Sequence, residues 1–392
     1  MKNKTINFIF ILLFLTGLYW PSSTNYVINF KYEQIMFFVI MIVLTFLLIL
    51  NKRFLAEFWK KFAYSFLILT IIIFFAFISV LKGHTESYLG VSVQYIILSL
   101  LFLSDYTSVE LTKFTKKIFT LTNVINIALG FMIIFDIAVV KDFFYKNYSA
   151  YYPELIYNML FQKKPVIMFA SHGMASAFHY LFFFMFFYSF VVTKNKLHFV
   201  LSILNLILLI FTRSTSAFIL FIAATINIVY FSYKKSRNKG LILISVFSLG
   251  IIAIITFMNS GLMPDLNSNI NGFRGRYSNS GVIRPIINYI LGNPFTPIGV
   301  VNIPNLFSMD SGWLINMLRG SIFLIVAVYT GFYSFLKTNI KGKIALWLFM
   351  IFAAVEVGCQ IITYVRMMCF LPFFVIYLHD LVIRQPQGHA AE

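Results

Sequence analysis

Residues 174–192 read MASAFHYLFFFMFFYSFVV, a run without Asp, Glu, Lys or Arg. A helix that crosses a bilayer needs roughly 20 mostly apolar residues, because each residue rises about 1.5 Å and the hydrocarbon layer is about 30 Å thick. This run meets that need, and it has many companions in the chain. Of the 392 residues 60% are hydrophobic and 11% are charged, whereas a soluble domain carries about a quarter charged residues. One globular core cannot hide so much apolar surface, so lipid is the solvent for much of it. Inside lipid the backbone must satisfy its own hydrogen bonds, and helices do this within a single segment. The expected fold is therefore an all-α polytopic membrane protein. The 48 Phe residues are read as bulk hydrophobe, since Phe, Ile, Asn and Lys are abundant together, as in an AT-rich coding sequence.

Working outward from 174–192, about twelve candidate spans appear, near 6–20, 35–50, 62–81, 89–103, 118–140, 174–192, 198–211, 217–231, 241–258, 313–335, 344–357 and 362–378. The first follows Lys2 and Lys4, as a signal peptide would. It lacks a small-x-small cleavage site and ends in Leu18-Tyr19-Trp20-Pro21, so it reads as a retained helix with an aromatic anchor. The whole chain, 1–392, reads as a single integral membrane domain. Cys359 and Cys369 both lie in apolar runs, which argues against a disulfide framework, and neither shows metal-ligand spacing. The net charge of +18 fits anchoring of cytoplasmic loops better than nucleic-acid binding. With a cytoplasmic N-terminus, the inner segments hold Lys2, Lys4, Lys52, Arg53, Lys60, Lys61, Lys113, Lys116, Lys117, Lys194, Lys196, Lys234, Lys235, Arg237, Lys239, Lys337, Lys341, Lys343 and Arg384. That is 19 of the 31 basic residues, and it places both termini in the cytoplasm.

The 12 remaining basic residues are of a different kind. Only three of the inner set are Arg, but six of the outer set are: Arg213, Arg274, Arg276, Arg284, Arg319 and Arg366. Lys suffices for topological anchoring, whereas the planar guanidinium of Arg binds phosphate or carboxylate in bidentate fashion. The plainer account is snorkelling at helix ends and local ion pairing. Two long outer loops stand out, 141–173 and 259–312. The first carries Tyr145, Tyr148, Tyr151, Tyr152 and Tyr157, then Lys163, Lys164 and His172. Its tyrosines suit sugar stacking or the membrane interface. The second carries Arg274, Arg276 and Arg284, and its residues 281–291 have the spacing of a short amphipathic helix. Asp310, before Ser311-Gly312-Trp313-Leu314, is either an N-cap or a carboxylate able to accept a hydroxyl proton. His172 is a second general-base candidate beside a structural alternative. Arg213, in the turn Thr212-Arg213-Ser214, adjoins a helix start with unsatisfied N–H groups, a favourable place for an anion. The outer loops hold no Asp-x-Asp metal motif, so the sequence calls for no metal or other cofactor.

These features together resemble the O-antigen and capsule polymerase (Wzy-type) family and the related O-antigen ligases. Thr212-Arg213-Ser214 is similar to the family's Ser-Arg-small turn. Arg284 through Asn293-Pro294 to Ile298-Gly299 is similar to its Arg-helix-Pro-Gly stretch, without the final Gly. Asp310-Ser311-Gly312-Trp313-Leu314 to Gly320 is similar to the segment opening the helix after the large outer loop, with Asp310 where the ligases have His. Lys164-Pro165 to His172 is a weaker match. The resemblance implies a GT-C-like membrane glycosyltransferase at the outer face of the bacterial inner membrane. It would extend glycans carried on polyprenyl diphosphate, in the company of a chain-length regulator and a flippase. Arg213, Arg274, Arg276 and Arg284 would clamp the diphosphate, and Asp310, His172 and Arg213 would act at the reacting centre. Lys164, Arg319 and Arg366 would contact the substrate. The competing readings are a ligase and a lipid-linked oligosaccharide flippase. A flippase should place ionisable residues along a path inside its helices, whereas Asp136, Glu356 and Arg366 fall near the expected outer ends of helices.

Overall fold

The structure is a computed structural model and describes residues 2–21, 39–40, 42–43, 54–81, 86–103, 106, 110–149, 153–169, 171–235, 311–340 and 343–383. Among the described residues every regular element is a helix. They are α1 (Lys2–Tyr19), α2 (Phe54–Leu81), α3 (Glu86–Leu103), α4 (Lys113–Ile134), α5 (Ala138–Tyr148), α6 (Pro153–Phe161), α7 (His172–Thr193), α8 (Lys196–Phe211), α9 (Thr215–Lys235), α10 (Gly312–Asn339), α11 (Lys343–Glu356) and α12 (Val365–Ile383). Among the described residues three stretches, Lys113–Ile134, His172–Thr193 and Arg319–Asn339, are long and apolar enough to cross a membrane, and five shorter apolar helices accompany them. The candidate spans at 35–50 and 241–258 fall wholly or mostly outside the described residues.

The chain divides into two compact units, Met1–Thr120 with Gly281–Glu392, and Leu121–Ser280. In the first, α2 packs on α3 and α10, α10 also meets α11, α3 and α12, and α1 lies along α12. The α1–α12 seam is tight, because a Cβ on Gly17 would land in the Cys369 side chain. The Phe14 ring lies tilted against those of Phe373 and Phe119, with centroids 4.7 and 5.0 Å away, so the aromatic residues here fill space as core. Asn7 ties the start of α4 to α1 by accepting from the Thr112 N–H and the Thr115 hydroxyl. On α2, Phe66, Ile73 and Phe77 recur at helical spacing and are 54%, 66% and 61% exposed. An apolar stripe of this kind fits a lipid-facing surface.

The second unit is centred on α7, whose spanning window is 89% buried. A helix apolar all round belongs in such a place. α8 and α9 pack against it and against each other. Along α4, Gly130 lets Leu208 of α8 come close, since an added Cβ would sit 2.9 Å from Leu208 Cδ2. Both residues lie one turn or so before the ends of their helices, so α4 and α8 finish at one end of the unit. α7 and α9 begin there. The expected helix over 118–140 stops earlier, at Ile134, because Asp136 takes a left-handed conformation (φ 67°). The Asp136 N–H then bonds the Ile133 carbonyl and the Ile137 N–H the Met132 carbonyl, the double bond of a Schellman stop. The long loop expected at 141–173 is itself built largely of helix, α5 and α6.

Candidate functional site

At the end of the second unit where α7 and α9 start, Ser171 is the N-cap of α7 and its Oγ accepts from the Met174 N–H at 3.2 Å. His172 is the first residue of the helix. One turn on, Ser176 is fully buried, and its Oγ lies 2.6 Å from the His172 carbonyl oxygen, 2.6 Å from Thr212 Oγ1 and 2.7 Å from Ser214 Oγ. Thr212 Oγ1 donates to the Leu209 carbonyl (2.7 Å), and Ser214 Oγ accepts from the Ala217 N–H (2.9 Å), capping α9. Between them Arg213 is held at φ 52°. A non-glycine residue there carries a cost of roughly 1–2 kcal/mol, which the flanking hydroxyl bonds offset.

Almost a full turn further along α7, His179 Nε2 donates to the Pro165 carbonyl at 3.3 Å. This fixes the segment that follows α6. That segment leaves α6 by a second Schellman stop, in which the Lys163 N–H bonds the Leu160 carbonyl and the Lys164 N–H the Met159 carbonyl, with Lys163 at φ 58°. Lys164 is buried and Lys163 is exposed. The two left-handed stops meet, since Lys163 Nζ is 3.4 Å from Asp136, which also pairs with Lys141. Hydrogen bonding from Lys141, followed by that from Lys163, holds the Asp136 carboxyl below its ordinary range. His172, Ser176 and His179 recur at spacings of four and three residues and so share one stripe of α7. The Arg213 turn and the Lys164–Pro165 segment are both anchored to that stripe.

Neither the chain nor its fold matches a known protein family, a curated protein or a solved structure.

The expected site residues thus separate into groups. His172 opens α7, and the neighbours of Arg213 and Lys164 in the chain are bonded to Ser176 and His179 on its first two turns. Arg274, Arg276, Arg284 and Asp310 lie outside the described residues. In the first unit, Arg319 Nη1 donates to Gln94 Oε1 at 3.0 Å, and its guanidinium lies 5.9 Å from the Tyr95 ring. Arg366 is buried and donates to the carbonyls of Gly17 (3.3 Å), Leu18 (2.7 Å) and Trp20 (2.7 Å), at the C-terminal end of α1.

Glu356, the last residue of α11, has no exposure. Its carboxylate accepts from the Ile361 and Ile362 N–H groups and from the Tyr329 hydroxyl (2.9 Å). The three residues after Asp310 dock on the same end of α11. The Ser311 hydroxyl donates to the Glu356 carbonyl, Gly312 abuts the carboxylate, and Trp313 donates to the Ala353 carbonyl while stacking on Tyr329 at 4.3 Å. Sequence reasoning missed Ser176, His179, Tyr95 and Tyr329. The signal for the first two was present as polar residues inside an otherwise apolar run, where each needs a partner. Among the described residues no group of three His, Cys, Asp or Glu is placed to share a metal ion.

Proposed function

We propose that the protein is a membrane glycosyltransferase that polymerises polyprenyl-diphosphate-linked oligosaccharide repeat units at the outer face of the bacterial inner membrane. In this reading the chain has about twelve spans in a GT-C-like arrangement, with both termini cytoplasmic. The observation that supports it is that the residues flanking Arg213 are bonded to Ser176 on the first turn of α7, the helix that His172 opens, while Pro165, next to Lys164, is bonded to His179 on the second. A helix start and a guanidinium favour an anion there.

The reaction breaks the bond between the donor sugar's anomeric carbon and the diphosphate oxygen, and the bonding pair leaves with the lipid diphosphate. A hydroxyl oxygen of the acceptor sugar forms the new bond to that carbon and gives up its proton. Arg213, with Arg274 and Arg276, stabilises the charge growing on the leaving diphosphate. His172 accepts the proton. Arg284 and Asp310 are the further candidates that the sequence supplies for those two roles.

The test is a ladder assay on purified protein with a lipid-linked repeat unit. Arg213→Ala is expected to slow elongation about a hundredfold or more, and His172→Ala to slow it on the order of a hundredfold. Normal ladders from folded Arg213→Ala, His172→Ala, Arg284→Ala and Asp310→Ala proteins would overturn the reading. A second reading, a flippase, draws on the polar interior of the first unit. There Tyr95 donates to Asn316 (2.6 Å), beside Arg319–Gln94 and Tyr329–Glu356, among apolar helices. Transfer of the lipid across liposomes without longer glycans would establish that reading instead.

A further inference from the structure

We propose that Ser176 is the positioning residue that sets Arg213, acting through the hydroxyls of Thr212 and Ser214. The proposal rests on the reading of Arg213 as an anchor for the diphosphate. Three hydroxyls, those of Ser176, Thr212 and Ser214, make four contacts that each need a hydrogen, including those to the His172 and Leu209 carbonyls.

Carbonyls only accept, and Ser214 Oγ already accepts from the Ala217 N–H. The arrangement that uses every group is therefore a directed chain. The Ala217 N–H donates to Ser214, Ser214 to Ser176, Ser176 to Thr212, and Thr212 to the Leu209 carbonyl. The hydrogen of Ser176 is shared with the His172 carbonyl. The chain runs from an orphan N–H at the start of α9 to a carbonyl in the last turn of α8, and its middle link comes from α7.

Arg213 sits between the two residues that this link grips, in a left-handed conformation that no glycine supplies. Other polar side chains of α7 also reach a neighbouring element. Tyr180 accepts from Asn227 at 2.9 Å, and Ser189 meets His198 at 2.8 Å. Those two tie helices together, whereas Ser176 alone grips both sides of a turn that carries a cation.

Thr and Val have nearly the same shape, so Ser176→Thr and Ser176→Val differ in the hydroxyl and little else. Affinity for geranylgeranyl diphosphate in detergent is expected to fall about tenfold in the Val variant relative to the Thr variant. In an Arg213→Ala background the two are expected to bind alike. Equal affinities in the Arg213 protein, or a loss that persists undiminished without Arg213, would overturn the proposal. A second readout needs no ligand. With Arg213→Cys, labelling by a charged methanethiosulfonate is expected to differ about tenfold in rate between the Thr and Val variants, an effect comparable to one hydrogen bond. The native Cys359 and Cys369 are buried. Equal labelling rates would also overturn the proposal. If wild type and Arg213→Ala bind the diphosphate equally, the anion reading fails, and the labelling comparison still decides the role of Ser176.

Discussion

Arg366 and Arg213 are the same residue type, and the structure gives them different work. The last carbonyls of a helix lack partners within it, and those at the end of α1 receive the two terminal nitrogens of Arg366. This is a charged C-terminal cap made from 346 to 349 residues away along the chain. No local pattern could reveal it, so on sequence Arg366 belongs with the outer arginines. Arg213 stands in a turn that the hydroxyls of its neighbours hold, and the residues beside it announce that turn. Arg366→Met is expected to cost about 3 kcal/mol, because a buried charged donor is lost and three carbonyls are left behind. Arg366→Lys is expected to recover only part, since one ammonium cannot reproduce the fork. Thermal unfolding in detergent measures both. An Arg366→Met protein as stable as wild type would remove the capping role.

Helices were the legible elements, and their interruptions were not. The run 174–192 became α7, which is longer by two residues before it and one after, because hydrophobicity marks the part of a helix that needs lipid or core. The expected helix over 313–335 contains a break instead. Within α10, Gly320 (φ −159°, ψ 27°) and Ser321 (φ 57°, ψ −163°) leave helical geometry. At the break a Cβ on Gly320 would also come within 3.0 Å of Ile71 Cγ2 on α2, a close approach between helices that sequence does not display. The site shows the same division. The Thr212-Arg213-Ser214 turn could be read from residue types, but its third anchor, Ser176, lies on another helix. Ser321 occupies a region that costs a non-glycine residue about 1–3 kcal/mol. Ser321→Gly is therefore expected to unfold at the same temperature as wild type or higher, and Ser321→Val to lose about 2 kcal/mol, since branching at Cβ adds to the strain. If both variants lost stability equally, the backbone conformation would not be what holds the break.

At the scale of the whole molecule, the distribution of Lys and Arg and the position of the Arg213 turn both bear on how α7 crosses the membrane. α7 has 22 residues and so rises about 33 Å, the thickness of a hydrocarbon layer. Lys194 and Lys196 lie at its far end, and Lys163, Lys164 and Arg213 at its beginning. A diphosphate-handling site on the outer face requires the beginning of α7 to face outward and the 194–196 turn to face the cytoplasm, the orientation expected from the whole-chain division of basic residues although the two ends of α7 taken alone do not favour it. Gln162 and Lys196 are both exposed, and neither occupies a left-handed position, so a cysteine at either leaves the adjoining stops intact. In intact cells a membrane-impermeant maleimide is expected to label Gln162→Cys, and to label Lys196→Cys only after permeabilisation. Labelling of both from one side would mean that α7 does not span. The reverse order would keep the span but turn Arg213 toward the cytoplasm, where a polymerase acting on exported repeat units has no substrate. The proposed reaction would then fail on topology alone, before any question of catalytic residues arose.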